Sequence, residues 1–245
     1  QVVGDGDNIF SAALYDRGVY IYLMGGMGSL NDSLGVMLSD YIKAKWPSFF
    51  PENILDIGCG IGVNTLPFVE KFPKSKVHGI DVAAPMLKYA HARSEFFNKK
   101  VFYSQQNGER TKFPNKAFDL IMTHIVLHET SRKALKNILK ETYRLLKPGG
   151  ISLHCETPMY DKRLTPYEQY QTDWDTYYNN EPFVGPMHSN NSQALLLEAG
   201  FKKSEITNDD LILQAPKTNN IKSESEFGKR IGGYLSIIAA KKTIN

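Results

Sequence analysis

From residue 54 onward, short apolar runs alternate with stretches whose apolar positions recur every three or four residues. Ile54, Leu55 and Ile57 make the first run, and residues 77–80, 101–104, 118–122 and 151–155 make the next four. Runs of this length, bounded by Gly, Pro and Asn, predict buried strands. The intervening stretches predict helices from near Val63 to about Phe72, from Pro85 to about Phe97, and from a cap at Ser131 to about Leu146. Pro85 suits a first turn, where its missing N–H costs little. Alternation of this kind predicts an α/β fold, a mostly parallel sheet with helices on both faces. The loops after the strands then share one edge, where ligands bind.

The flanks read differently. Residues 1–28 are glycine-rich and predict irregular chain, with Tyr15, Tyr20 and Tyr22 interleaved. A helix is expected over residues 29–45, with Leu30, Leu34, Met37, Leu38, Tyr41 and Ile42 on one face. Pro47 and Pro51 separate it from the first strand. Residues 156–190, rich in Tyr, Asp, Asn and Pro, read as an insertion after the fifth strand. A helix over 191–199 ends at Gly200. Residues 202–207 and 232–240 read as the last two strands, with 215–229 a polar connecting loop. The division expected is a lid or helical segment over 1–50 and a main domain over 51–245 carrying the insertion 156–190. Trp174, Tyr177, Tyr178 and Phe183, with the N-terminal tyrosines, either close over the sheet edge as a lid or build a second small core.

Composition narrows the classes. A chain of 245 residues, 42% hydrophobic and 22% charged, suits a soluble globular protein. A net charge of +3 without a Lys/Arg block argues against a nucleic-acid partner. No apolar run approaches the roughly 18–20 residues of a membrane span, so no membrane partner is expected. The two cysteines, Cys59 and Cys155, offer no disulfide framework and point to a reduced, cytoplasmic setting. The chain begins at Gln1 rather than Met, which leaves a longer parent protein open.

The candidate chemistry lies at residues 54–62, Ile-Leu-Asp-Ile-Gly-Cys-Gly-Ile-Gly, and at Asp81, which closes the next apolar run. Glycines let the backbone turn tightly and approach a ligand. An acidic residue at the end of the second strand suits the two hydroxyls of a ribose. The spacing is G-x-G-x-G, not the G-x-G-x-x-G that cradles a dinucleotide pyrophosphate. Asp56 beside the loop repels a pyrophosphate and favours a cationic amino group. S-adenosylmethionine (SAM) has an amino group, a sulfonium and a ribose, and no phosphate.

At these residues the chain resembles the class I SAM-dependent methyltransferases, whose glycine-rich motif reads hh-D-h-G-C/S-G-x-G. Phe118-Asp119-Leu120-Ile121 and the turn Leu146-Lys147-Pro148-Gly149-Gly150 are also similar to that family. The resemblance covers residues 54–155 and, in outline, 191–240. It implies a Rossmann-like seven-stranded sheet with an antiparallel last strand, and SAM as cofactor. It further implies that Asp56, Gly58, Cys59, Gly60 and Gly62 wrap the methionine portion and the ribose edge. Asp81 would accept both ribose hydroxyls and Val82 would lie against the adenine. Asn107 falls where an Asp usually receives the adenine amino group, and the Gly108 N–H would meet a ring nitrogen. Thr123 and His124 would line the sulfonium side.

Methyl transfer from a sulfonium is an in-line displacement, and alignment alone can supply roughly 7–11 kcal/mol. His128, in His124-Ile-Val-Leu-His128-Glu129, is the best candidate for a general base, with His124 second. Glu129 or another carboxylate would orient it. The plainer reading is that His128 caps the following helix or packs against the cofactor. Asp56 could likewise only cap its turn, and Asn107-Gly108 could be a simple turn. His124, His154, Glu156 and His188 suit a metal by type, but no tight ligand spacing supports one and none is expected. The function these readings favour is methylation of a small-molecule acceptor, as in quinone and natural-product biosynthesis. A macromolecular acceptor and a non-catalytic SAM-binding domain of a larger assembly are the alternatives, and a nicotinamide oxidoreductase is a poorer one.

Overall fold

The computed structural model describes residues 8–157, 165–178, 180–188, 190–212 and 234–244. Seven strands form one sheet in the order β3-β2-β1-β4-β5-β7-β6. They are β1 (Asn53–Ile57), β2 (Lys76–Asp81), β3 (Val101–Gln105), β4 (Phe118–His124), β5 (Leu146–Glu156), β6 (Ile206–Ile212) and β7 (Tyr234–Lys241). The first five pair in parallel, and β7 runs antiparallel to both β5 and β6. The strand order reverses between β1 and β4, which opens a crevice beyond their C-terminal ends. Asp56 pairs with Gly79 on one side and Met122 on the other. Asp81 and His124 therefore stand two residues beyond Asp56, flanking that crevice.

Alternating side chains send two cores to opposite faces of the sheet. Leu55, Ile57 and Ile121 pack with Leu135, Ile138, Leu139, Leu195 and Leu196 on one face. Ile54, Leu120 and Met122 pack with Leu34, Leu38, Ile42 and Phe68 on the other. The helices covering them are α2 (Ser33–Lys45), α3 (Leu66–Lys71), α4 (Ala84–Phe96), α5 (Arg132–Leu145) and α8 (Ser192–Ala199). In α5 the buried Leu135, Ile138, Leu139, Thr142 and Leu145 recur at helical spacing, and the Ser131 side chain accepts from the Ala134 N–H at 3.2 Å. Gly200, at φ 118°, ends α8 in the left-handed conformation. Among the described residues, no helix is long and apolar enough to cross a membrane.

Several boundaries depart from the expectation. The first 28 residues are not wholly irregular, because Ile9–Tyr22 forms helix α1. Its apolar residues do not gather on one face, so periodicity does not reveal it. Polar ties hold it instead: Asp16 accepts from Tyr89, from Arg93 and from Asn31, at 2.8–2.9 Å. The next helix starts at Ser33 rather than 29, after Gly28 and Asn31 turn the chain at positive φ. The insertion contains α6 (Pro166–Tyr178) and α7 (Val184–His188). The turn at 147–150 is drawn into β5, since the Gly149 N–H donates to Lys242 and the Lys242 N–H to Gly150. Residues 203–205 form a 3-10 helix, and β6 begins only at Ile206. The loop expected at 215–229 lies outside the described residues.

Candidate functional site

The loop after β1 is tied to β2 before any side chain takes part. The N–H groups of Gly58 and Cys59 both donate to the Ile80 carbonyl, at 2.8 and 3.0 Å. Gly60 and Gly62 need positive φ, 51° and 77°. A side chain at Gly62 would strike the Tyr103 hydroxyl at 2.5 Å. At Gly60 the corresponding direction is open space. The Gly60 N–H donates to one Asp81 oxygen at 2.9 Å, and the Ala83 N–H donates to the other at 2.8 Å. Burial raises the Asp81 pKa, and these N–H groups oppose the rise.

The other proposed cofactor residues divide. Asp56 is buried with both oxygens engaged, one by the Thr65 hydroxyl at 2.6 Å and one by His124 Nδ1 at 3.3 Å. Thr65 is a partner that the sequence reading did not identify. Gly58 has Val126 where its side chain would be, 2.7 Å away. Cys59 turns its thiol toward Gly79, and burial, with Asp56 and Asp81 nearby, pushes that thiol's pKa up. Val82 is exposed at the mouth. Asn107 accepts from the Glu109 N–H at 2.8 Å with its own side chain, an Asx turn. Gly108 lies flat against Ile57, whose Cγ2 would be 2.6 Å from an added Cβ.

Past β4 the chain makes a one-turn 3-10 helix, Leu127–Glu129. Its organiser is Glu156, the fully buried last residue of β5. One Glu156 oxygen accepts from the N–H groups of Val126 and Leu127 at 2.8 and 2.6 Å. The other accepts from His128 Nδ1 at 2.7 Å. Burial alone would lower the His128 pKa, but the Glu156 charge and hydrogen bond, helped by Glu129 and Glu181, push it up to about 9. Thr123 is buried beneath, its hydroxyl 2.9 Å from His154 Nδ1, and the Ser152 hydroxyl lies 2.7 Å from His154 Nε2. Complete burial lowers the His154 pKa to about 4. His124 packs edge-on against Phe68, and its Nε2 has no hydrogen-bond partner among the described residues.

His124, His154 and Glu156 thus serve separate polar pairs rather than one ligand set, and the His188 side chain lies outside the described residues. Among the described residues, the metal-ligating atoms that do come together belong to His128, Glu129 and Glu181, within 4.8 Å of one another. Glu181 comes from the insertion, just before α7. Tyr15 is half exposed, and its pKa is raised first by burial and then by Glu129, Asp81 and Glu181. Residues from α1, from the end of β2, from the turn after β4 and from the insertion therefore share one neighbourhood. The local signal for Glu156 was an acid at the end of a buried strand, a position that is costly without partners.

Residues 54–150 match the family model described as a methyltransferase domain. The chain is 30% identical over 142 residues to demethylmenaquinone methyltransferase of Thermus thermophilus, a match spanning 58% of this chain and 61% of that protein. It is 26% identical over 134 residues to tRNA N(3)-methylcytidine methyltransferase Mettl2 of Drosophila melanogaster, spanning 52% of this chain and 41% of that protein. Among solved structures, Haemonchus contortus phosphoethanolamine N-methyltransferase 2, in complex with phosphomonomethylethanolamine and S-adenosylhomocysteine, superposes with a TM-score of 0.66. That match covers 98% of this chain and 62% of the other at 17% identity, which is a likeness of fold.

Proposed function

From the premise that this chain carries a class I SAM-dependent methyltransferase domain, we propose that it transfers the methyl group of SAM to a small-molecule acceptor. One observation carries the cofactor reading: the open side of Gly60 and the carboxylate of Asp81 meet at the point where the strand order reverses. Backbone N–H groups and a carboxylate, with no cationic side chain in the loop, suit a ribose and an amino group better than a pyrophosphate. When bound, SAM supplies a methyl group already activated by a cationic sulfur.

The chain's own residues then have three tasks. Gly58–Gly62 and Asp81 hold the cofactor, with Val82, Asn107 and Gly108 at the adenine end. Asp56, Thr65 and His124 keep the loop and the end of β4 in register from beneath. His128, set by Glu156 beside the expected path of the methyl, faces the acceptor and takes its proton when neutral, a form whose share grows as pH rises toward about 9. The N-terminal α1 and the insertion wall this pocket, an arrangement supported by the charges of Glu129, Asp81 and Glu181 acting together on Tyr15. The two buried free cysteines suit a reducing, cytoplasmic setting.

The similarity to a tRNA methyltransferase keeps a macromolecular acceptor as the second reading. Incubation with methyl-labelled SAM and cell extract separates the two. Label in the small-molecule fraction is the expected result. Label in RNA or protein, lost on nuclease or protease treatment, would replace it. SAM binding without any labelled product would favour a non-catalytic domain.

A further inference from the structure

We propose that His128 Nε2, Glu129 and Glu181 form a divalent-cation site at the acceptor edge, held in shape by Glu156. Two independent features lead there. The first is convergence: an imidazole nitrogen and two carboxylates, from the turn after β4 and from the insertion, bring ligand atoms within 4.8 Å. Imidazole with carboxylates is a donor set for first-row divalent ions. The second lies behind the ring. His128 is almost wholly buried, and its Nδ1–H donates to the fully buried Glu156 at 2.7 Å. That bond fixes the ring's orientation and presents Nε2 outward. A carboxylate behind a histidine is the usual support of a metal-ligating imidazole, because it sets the tautomer and raises the basicity of the free nitrogen.

Nε2 lies 3.8 Å from Glu129 Oε1, too far for a hydrogen bond. A cation bound at about 2.1 Å to each would bridge a gap of that size without backbone movement. Glu129 is 44% exposed, so an ion can reach it from solvent. Three carboxylates surround one imidazole here, so a double positive charge suits the cluster. Three protein ligands leave coordination positions for an acceptor oxygen. With the cation bound, His128 Nε2 is a ligand and no longer a base, and the ion's charge lowers the acceptor's pKa in its place. The site therefore favours acceptors carrying a hydroxyl, enol or carboxylate. That last step rests on the proposed function, but the cation site itself does not.

Mn²⁺ is the probe, because its paramagnetism reports binding without turnover. Titration of the whole chain with Mn²⁺, followed by the loss of the free-ion spin-resonance signal, is expected to show one ion per chain. Glu129→Gln and Glu181→Gln should each weaken it at least tenfold while the circular-dichroism spectrum stays unchanged. Glu156→Gln should weaken it by roughly tenfold through the misplaced ring. Absence of Mn²⁺ binding at millimolar concentration would overturn the proposal. So would binding that both glutamine variants leave intact. If Mn²⁺ binds as expected but no methyl transfer is found, the functional reading fails and the cation site stands.

Discussion

Asp81 is the residue on which the cofactor assignment rests. Its two oxygens already receive N–H groups from Gly60 and Ala83, yet a carboxylate oxygen accepts more than one donor, so ribose hydroxyls can add to these bonds. Hydrogen bonds to a charged group contribute about 1.5–3 kcal/mol each, so Asp81→Ala is expected to weaken SAM binding at least tenfold by calorimetry. Unchanged affinity would move the cofactor elsewhere. This residue was legible because it closes an apolar run at a set distance from the glycines. Asp56 was legible as part of the motif, but not its posture: its oxygens turn inward to Thr65 and His124. Glu156 drew notice only beside His124, His154 and His188 as a metal-ligand type, because its role comes from Val126, Leu127 and His128, about 30 positions away.

At the scale of elements, the loop between β1 and α3 shows how a short motif depends on its surroundings. Gly62 carries positive φ and abuts Tyr103, whose hydroxyl also lies 2.9 Å from that of Ser94. Gly62→Ala meets both obstacles. Left-handed backbone alone costs of order 1–3 kcal/mol for a residue with a side chain, so a denaturant melt should show at least that loss. Adding Tyr103→Phe should recover only the part due to the hydroxyl contact. The strands and α5 were readable because their apolar periods are strong and local. Helix α1 was not, since Asp16 draws it against α4 through Arg93 and Tyr89. The helices of the insertion were also missed, because their aromatic and polar residues lack a clean period.

For the whole molecule, the buried polar groups set how the fold responds to acid. His154 is neutral in the folded chain, with a pKa lowered from 6.5 to about 4 by burial. Unfolded chains therefore take up a proton before the native state does as pH falls. Above pH 6.5 neither form is protonated at His154 and the residue adds no pH dependence. From 6.5 down to about 4 the native state loses ground, by at most about 1.4 kcal/mol per pH unit. Thermal melts across this range should show the decline, and His154→Gln should flatten it. A decline of unchanged slope in that variant would assign it to other groups. Glu141, Glu205 and Asp209, whose pKa values are held below the usual carboxylate range, add their own loss only in stronger acid.

The chain alone determined the alternation of strands and helices from β1 to β5, the glycine loop and the acid that closes the second strand. These are properties of near neighbours, written in period and spacing. Only the tertiary structure decided which polar side chains turn inward, which histidine receives a buried carboxylate, and that Glu181 from the insertion meets His128 and Glu129. A buried polar group is tolerable only with a partner. That partner is chosen by how distant segments pack across the sheet, so it cannot be read from the chain's order.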